Sequence, residues 1–234
     1  MKFHLKKANR FLPGAAVLSI LAAGCGGGGS SGPTSPAPTP TPTPAPTSCS
    51  MTYEPNYVAS VDLLRWSLFP LRVFFVRDAE YTLEKQQLAT AGFNRWVAAT
   101  DNGADYTVVT SASQANVTVR FYDFVGGDNG TLGTTNVTFT PSDNVIRSAE
   151  LRLGITGTDS TDIATAAHEY GHTLGISGHS PNRRDLMHEF GNASGQITQS
   201  DLNTILTAYC GQFNRNANAR SQRTDEPTRT ISMH

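Results

Sequence analysis

The chain has 234 residues, 38% of them hydrophobic, and a formal net charge of −1. Seven of its 13 prolines lie between residues 33 and 46, and the chain after residue 211 is polar, so residues 49–211 remain as one ordinary domain able to bury a core. That stretch carries ten Lys and Arg against seventeen Asp and Glu, a balance that excludes the basic face a nucleic-acid partner requires. No period and no second long apolar run is present, which excludes collagen, coiled-coil and multi-span membrane architectures.

Lys2, Lys6, Lys7 and Arg10 form a basic start, and residues 11–23 are apolar but too short for a permanent span. Residues 1–24 therefore read as an export signal. It runs into Leu21-Ala22-Ala23-Gly24-Cys25, which resembles a bacterial lipobox. The resemblance implies that Cys25 is acylated and that the lipid is the chain's contact with the membrane. Ala22 stands where a lipobox usually has a branched residue, and ordinary signal-peptidase cleavage with free secretion is the competing reading. Both put the mature protein outside the cytoplasm. Residues 25–48 are a Gly/Ser stretch followed by a Pro/Thr repeat, a disordered linker in which alternating proline favours polyproline II at about 3.1 Å per residue. Cys49 and Cys210 lie at the two edges of the domain in an oxidising compartment, so a disulfide is expected. The alternative, Cys49 as an inhibitory thiolate on a metal, finds no supporting pattern in Ser48-Cys49-Ser50.

Residues 71–76 are β-branched and aromatic and predict a buried strand. Residues 82–99 predict a helix opened by Thr82, with Leu88, Ala91, Trp96 and Ala99 on one face. Short strands are expected at 106–109 and at 115–122, where Val117, Val119 and Phe121 alternate with Thr118 and Arg120. Residues 123–135 read as a Gly-rich loop, in which Asp123, Asp128 and nearby carbonyls offer a candidate Ca²⁺ site. A strand at 145–153, a helix at 161–174 and a helix at 200–209, with Leu202, Ile205 and Leu206 inward, complete the domain. Residues 212–234 are expected to be a disordered polar tail. Strands and helices mixed in this order predict an α/β or α+β fold.

Four of the six histidines fall between His168 and His188. In His168-Glu169-Tyr170-Gly171-His172, the two imidazoles lie four residues apart on a helix and project from one face, at a separation suited to tetrahedral Zn²⁺. Glu169 points beside such a metal, placed to act on a water there rather than to ligate. Gly175 can end the helix in a left-handed turn and bring His179 back as a third ligand. Three ligands leave a position open for water, the catalytic rather than the structural arrangement. Two solvated helix histidines would be the bland reading of the five residues alone. Gly175, His179 and Met187 together argue against it.

The text from His168 to Ser180 resembles the active-site helix of matrixins, a branch of the metzincin zinc peptidases, with the pattern H-E-x-G-H-x-L-G-x-x-H-S. Asp185-Leu186-Met187 is similar to the family's Met-turn, and the order of elements is similar over nearly all of 55–211, from Arg65-Trp66 through Trp96 to a closing helix with Asp201 and Tyr209. The chain departs from the pattern in one place that matters for the metal: Gly178 holds the usual ligand position and His179 follows one residue late. Asp185 is the substitute third ligand should His179 not serve. His188 stands where matrixins usually have Tyr and reads as an outer or exposed residue rather than a fourth ligand. No histidine occurs between His4 and His168, so the structural-zinc histidines of animal matrixins are absent. The thiolate switch of matrixin propeptides is also absent.

The resemblance implies a metzincin-like fold, a twisted, mainly parallel sheet with an active-site helix and a C-terminal helix. It implies a monomeric zinc metalloendopeptidase acting on protein or peptide substrates. His168, His172 and His179 would hold the metal, and Glu169 would be the general base and then the proton donor to the leaving amine. Met187 would pack beneath the site, and Ser180 and Asp185 would orient the ligand loop. An edge strand within residues 132–140 would take the substrate as an added strand. Two other readings stay open on sequence: a non-cleaving surface binding protein or adhesin on the same fold, and a zinc amidase acting on cell-wall peptides.

Overall fold

The computed structural model describes residues 55–59, 63–122, 132–154, 159–192, 194–209 and 227–234. The export signal, the linker, Cys25, Cys49, Cys210, Asp123 and Asp128 lie outside the described residues, and with them the expectations of a lipid anchor, a disulfide and a calcium loop. Among the described residues no helix is long and apolar enough to cross a membrane.

The alternating stretches form a six-stranded sheet. β1 (Leu71–Phe75), β2 (Tyr106–Val108), β3 (Val117–Tyr122), β4 (Gly133–Thr140), β5 (Val145–Gly154) and β6 (Arg229–Met233) lie in the order β2-β1-β3-β5-β4-β6. β2, β1, β3 and β5 are parallel to one another, whereas β4 is antiparallel to β5 and β6 is antiparallel to β4. The register aligns apolar side chains in rows across the strands. One row runs Phe75, Val119, Leu151, Thr135, Met233, and the next runs Val73, Val117, Ala149, Val137, Ile231. Burial alternates along β3 and β4, as expected for a sheet with one face covered and one wet.

Two helices cover that face. α1 (Leu83–Ala99) is capped by Thr82, whose hydroxyl accepts from Lys85 N at 3.1 Å. α2 (Asp159–Thr173) packs on α1 and on β4 and β5. Phe75, Phe93, Phe121 and Tyr170 stack between the layers, with 4.4 Å between the ring centroids of Phe93 and Tyr170. Both tryptophans grip α2: Trp96 Nε1 donates to Ala167 O at 2.7 Å and Trp66 Nε1 to Thr173 O at 2.8 Å. α3 (Gln199–Tyr209) closes the end of α2, with Tyr209 donating to Leu174 O at 2.5 Å and accepting from Trp66 N at 2.9 Å.

Three expectations change. The buried face of α1 is Ala89, Gly92, Phe93 and Trp96; Leu88, Ala91 and Ala99 are only half-buried. Gly92 faces Ile163, Ala166 and Ala167, so the helices meet where a side chain is missing rather than where the longer Leu88 lies. In α3 the buried set is Asp201, Thr204, Ile205 and Tyr209, and Leu202 and Leu206 are half-buried. Polar Asp201 faces inward because backbone N–H groups await it there. The tail over 212–234 is not structureless throughout: Thr230, Ile231, Ser232 and Met233 alternate and extend the sheet as β6. The short alternation is masked in sequence by the polar text before it. As a result β4, expected to be the free edge, has a neighbour on both sides.

Candidate metal centre

The last turn of α2 and the chain that follows it bring three imidazoles together. The Nε2 atoms of His168 and His172 are 3.1 Å apart, and each is 3.2 Å from Nε2 of His179. A cation bound at about 2.0–2.1 Å by each of three tetrahedral ligands separates them by about 3.3 Å, so the three nitrogens are spaced to hold one ion. Among the described residues this is the cluster able to hold a metal.

The protonation pattern agrees with that use. His168 Nδ1 donates to Leu186 O at 2.8 Å, and His172 Nδ1 donates to Ile176 O at 2.6 Å. A carbonyl can only accept, so each ring carries its proton on Nδ1 and turns a lone pair inward from Nε2. Burial pushes His168 down to about 4, holds His172 well below its usual range and lowers His179. Neutral rings with lone pairs aimed at one point repel unless a cation sits between them. The donor set therefore fits a divalent transition metal, and three imidazoles suit zinc among others.

The turn explains how His179 arrives one residue late. Gly175 has φ +111° and lies directly against the Leu64 carbonyl, where any Cβ would collide. Gly178 N donates to Tyr57 O at 2.8 Å, and a Cβ there would come within 2.8 Å of Ala59 N. The extra residue is thus taken up by a glycine pressed on the segment 57–59, and His179 follows it into the site. Asp185, the substitute ligand, is engaged elsewhere. It accepts from Ser180 Oγ at 2.6 Å, Tyr57 OH at 2.8 Å and Thr198 Oγ1 at 2.8 Å.

Met187 is fully buried beneath α2, against Gly171 and near Trp96. Its segment is held by Asp201, which accepts from Leu186 N at 2.9 Å and Met187 N at 3.2 Å. Since Leu186 O in turn fixes His168, Asp201 orients one ring of the triad from α3 through one peptide group. His188 is buried rather than exposed, and its Nδ1 accepts from Phe190 N at 3.2 Å.

Glu169 is 3% exposed, and burial raises its carboxyl to about 8 against the opposing hydrogen bond from Thr135. Thr135 Oγ1 donates to Glu169 Oε2 at 2.6 Å. Gly133, two residues earlier on β4, leaves the space the carboxylate fills: a Cβ there would lie 2.6 Å from Oε1. The site thus combines a metal-ready triad with a desolvated carboxylate held by β4. Sequence reasoning missed Thr135, Tyr57 and Asp201 as supports. Thr135 is the one polar residue in its row across the sheet, which is a structural and not a local signal.

A comparison with models of known protein families finds no match to this chain, and a comparison with curated proteins finds no match either.

Proposed function

We propose that the chain is an extracytoplasmic zinc metalloendopeptidase of matrixin-like, metzincin type, with His168, His172 and His179 as metal ligands and Glu169 as the catalytic base. The observation that carries this reading is the pairing of three Nε2 atoms 3.1–3.2 Å apart with a buried carboxylate one residue from the first of them. A structural metal site has no use for that carboxylate, and a pure binding protein has no need to bury one unpaired with a cation. The mixed sheet, the Met187 segment below α2 and the turn through Gly175 support the family reading.

Zinc in such a site supplies Lewis acidity, which lowers the pKa of a water in the open position and polarises a peptide carbonyl. Glu169 takes the proton from the attacking water and hands it to the leaving amine nitrogen. A carboxyl raised towards neutrality is suited to both transfers. Thr135 holds Oε2, leaving Oε1 free for the proton. Asp201 and Ile176 O keep the two helix histidines in the tautomer that presents Nε2. Export, attachment through Cys25 and bridging of Cys49 to Cys210 belong to the same proposal, supported by the basic-apolar start and the lipobox-like text.

The test is purified full chain, loaded with zinc and incubated with a broad peptide library with and without chelator. Glu169→Gln is expected to keep stoichiometric zinc and lose at least a hundredfold in kcat/KM, and His179→Ala to lose zinc. A chain that binds zinc and cuts nothing in the library, with or without residues 229–234, returns the binding-protein reading.

A further inference from the structure

β6 lies on the outer side of β4, and without it β4 would end the sheet. Covering a bare edge is reason enough for a strand, but the position of this one asks for more. Its antiparallel register sets Met233 against Thr135, the residue whose hydroxyl holds the Glu169 carboxylate. The same direction carries His234 on towards Gly133, where Glu169 fills the space of the missing side chain. The grip is light: Arg229, Thr230 and Ser232 are exposed, Ile231 is half-buried and Met233 alone is buried. Thr230 adds a hydroxyl–hydroxyl bond of 2.7 Å to Thr138.

We propose that β6 is a self-ligand: residues 229–233 occupy the sheet edge along which an extended peptide must lie for its backbone to reach Glu169 and the histidine triad, and a substrate strand binds only after β6 leaves. The inference rests on the peptidase reading for its substrate, while the peptide-binding edge is independent of metal. β6 also reports what the edge accepts. Main-chain pairing with β4 gives the affinity, and apolar side chains at alternate positions, Ile231 and Met233, with small polar residues between them, face the site. A mere edge cover predicts that locking β6 in place leaves cleavage unchanged.

The first experiment is hydrogen exchange on the full chain and on a chain ending at Thr228, each with and without zinc. Ending the chain at Thr228 is expected to speed exchange in β4 at least tenfold while β1 and β3 stay protected. A synthetic Arg-Thr-Ile-Ser-Met-His peptide restores the protection and, added to the full chain, binds at least tenfold more weakly. The same peptide with Asp in place of Met fails to restore it. Unchanged exchange in β4, or equal peptide affinity for both chains, overturns the proposal. The second experiment keeps every residue in place. Thr138→Cys with Thr230→Cys locks β6 down, and the oxidised chain is expected to bind the peptide and to cleave substrate at least tenfold less than after reduction. The natural chain under the same reductant is the control. Equal binding before and after reduction overturns the self-ligand, whatever the activity. Release of peptide binding on reduction without cleavage keeps the self-ligand and overturns the peptidase.

Discussion

Thr135 joins two parts of the chain that share no local text. Its hydroxyl is the side-chain donor that reaches Glu169, across 34 residues of sequence, and it takes its place in a row of otherwise apolar residues. Thr135→Val keeps the volume and removes the donor. The buried carboxylate then loses about 1–2 kcal/mol of hydrogen bonding and the restraint on its orientation. The expected outcome is a fall in kcat/KM of about tenfold or more with zinc content unchanged. Equal loss of zinc would mean that Thr135 supports the fold and not the carboxylate. The helix pair His168 and His172 was legible at this scale, because residues four apart on a helix must share a face. Asp201 was not, since its partners are backbone N–H groups fourteen and fifteen residues away.

Helix and strand positions follow local rules that a reader can apply in advance. Thr82 caps α1 because an extended residue with a hydroxyl satisfies a free N–H, and β3 shows its alternation residue by residue. Which face of α1 turns inward was not legible, because Leu88 and Ala89 are both apolar and the choice belongs to Gly92 and its neighbour helix. The loop after α2 is where one element sets the chemistry of another. Gly175→Ala places a methyl against the Leu64 carbonyl at φ +111°. A cost of about 2–3 kcal/mol in urea denaturation is expected, together with at least tenfold weaker zinc binding, because Ile176 O and His179 both follow that turn. Zinc affinity unaltered by a folded Gly175→Ala chain would separate the turn from the site.

Across the whole molecule, the buried histidines tie stability to pH when the metal is removed. His168 titrates near its ordinary 6.5 in the unfolded chain but is held down to about 4 in the fold by burial. As pH falls from 6.5 towards 4, the unfolded state binds a proton that the folded state refuses, so stability declines through that window and levels off below it. His172 is displaced in the same direction and adds to the decline. Glu169, raised to about 8 by burial, has the opposite slope above 4.5, so the share of His168 is read as a difference. Denaturant midpoints of the chelated chain, measured from pH 7.5 to 4, are expected to fall relative to those of His168→Gln, and parallel pH profiles for the two chains would show that His168 does not carry the decline.

The amino-acid sequence by itself determined the groups of the candidate site: the spacing of His168 and His172, the carboxylate between them, the turn at Gly175 and the third imidazole. Those are local facts, set by helix periodicity and by the few conformations glycine alone accepts. It also determined that strands and helices alternate into one layered domain. Only the tertiary structure decided what surrounds those groups: Thr135 at Glu169, Asp201 under the Met187 segment, and β6 along β4. Each of these contacts joins distant parts of the chain through hydrogen bonds, and pairing at a distance depends on strand order and register, which no local pattern contains.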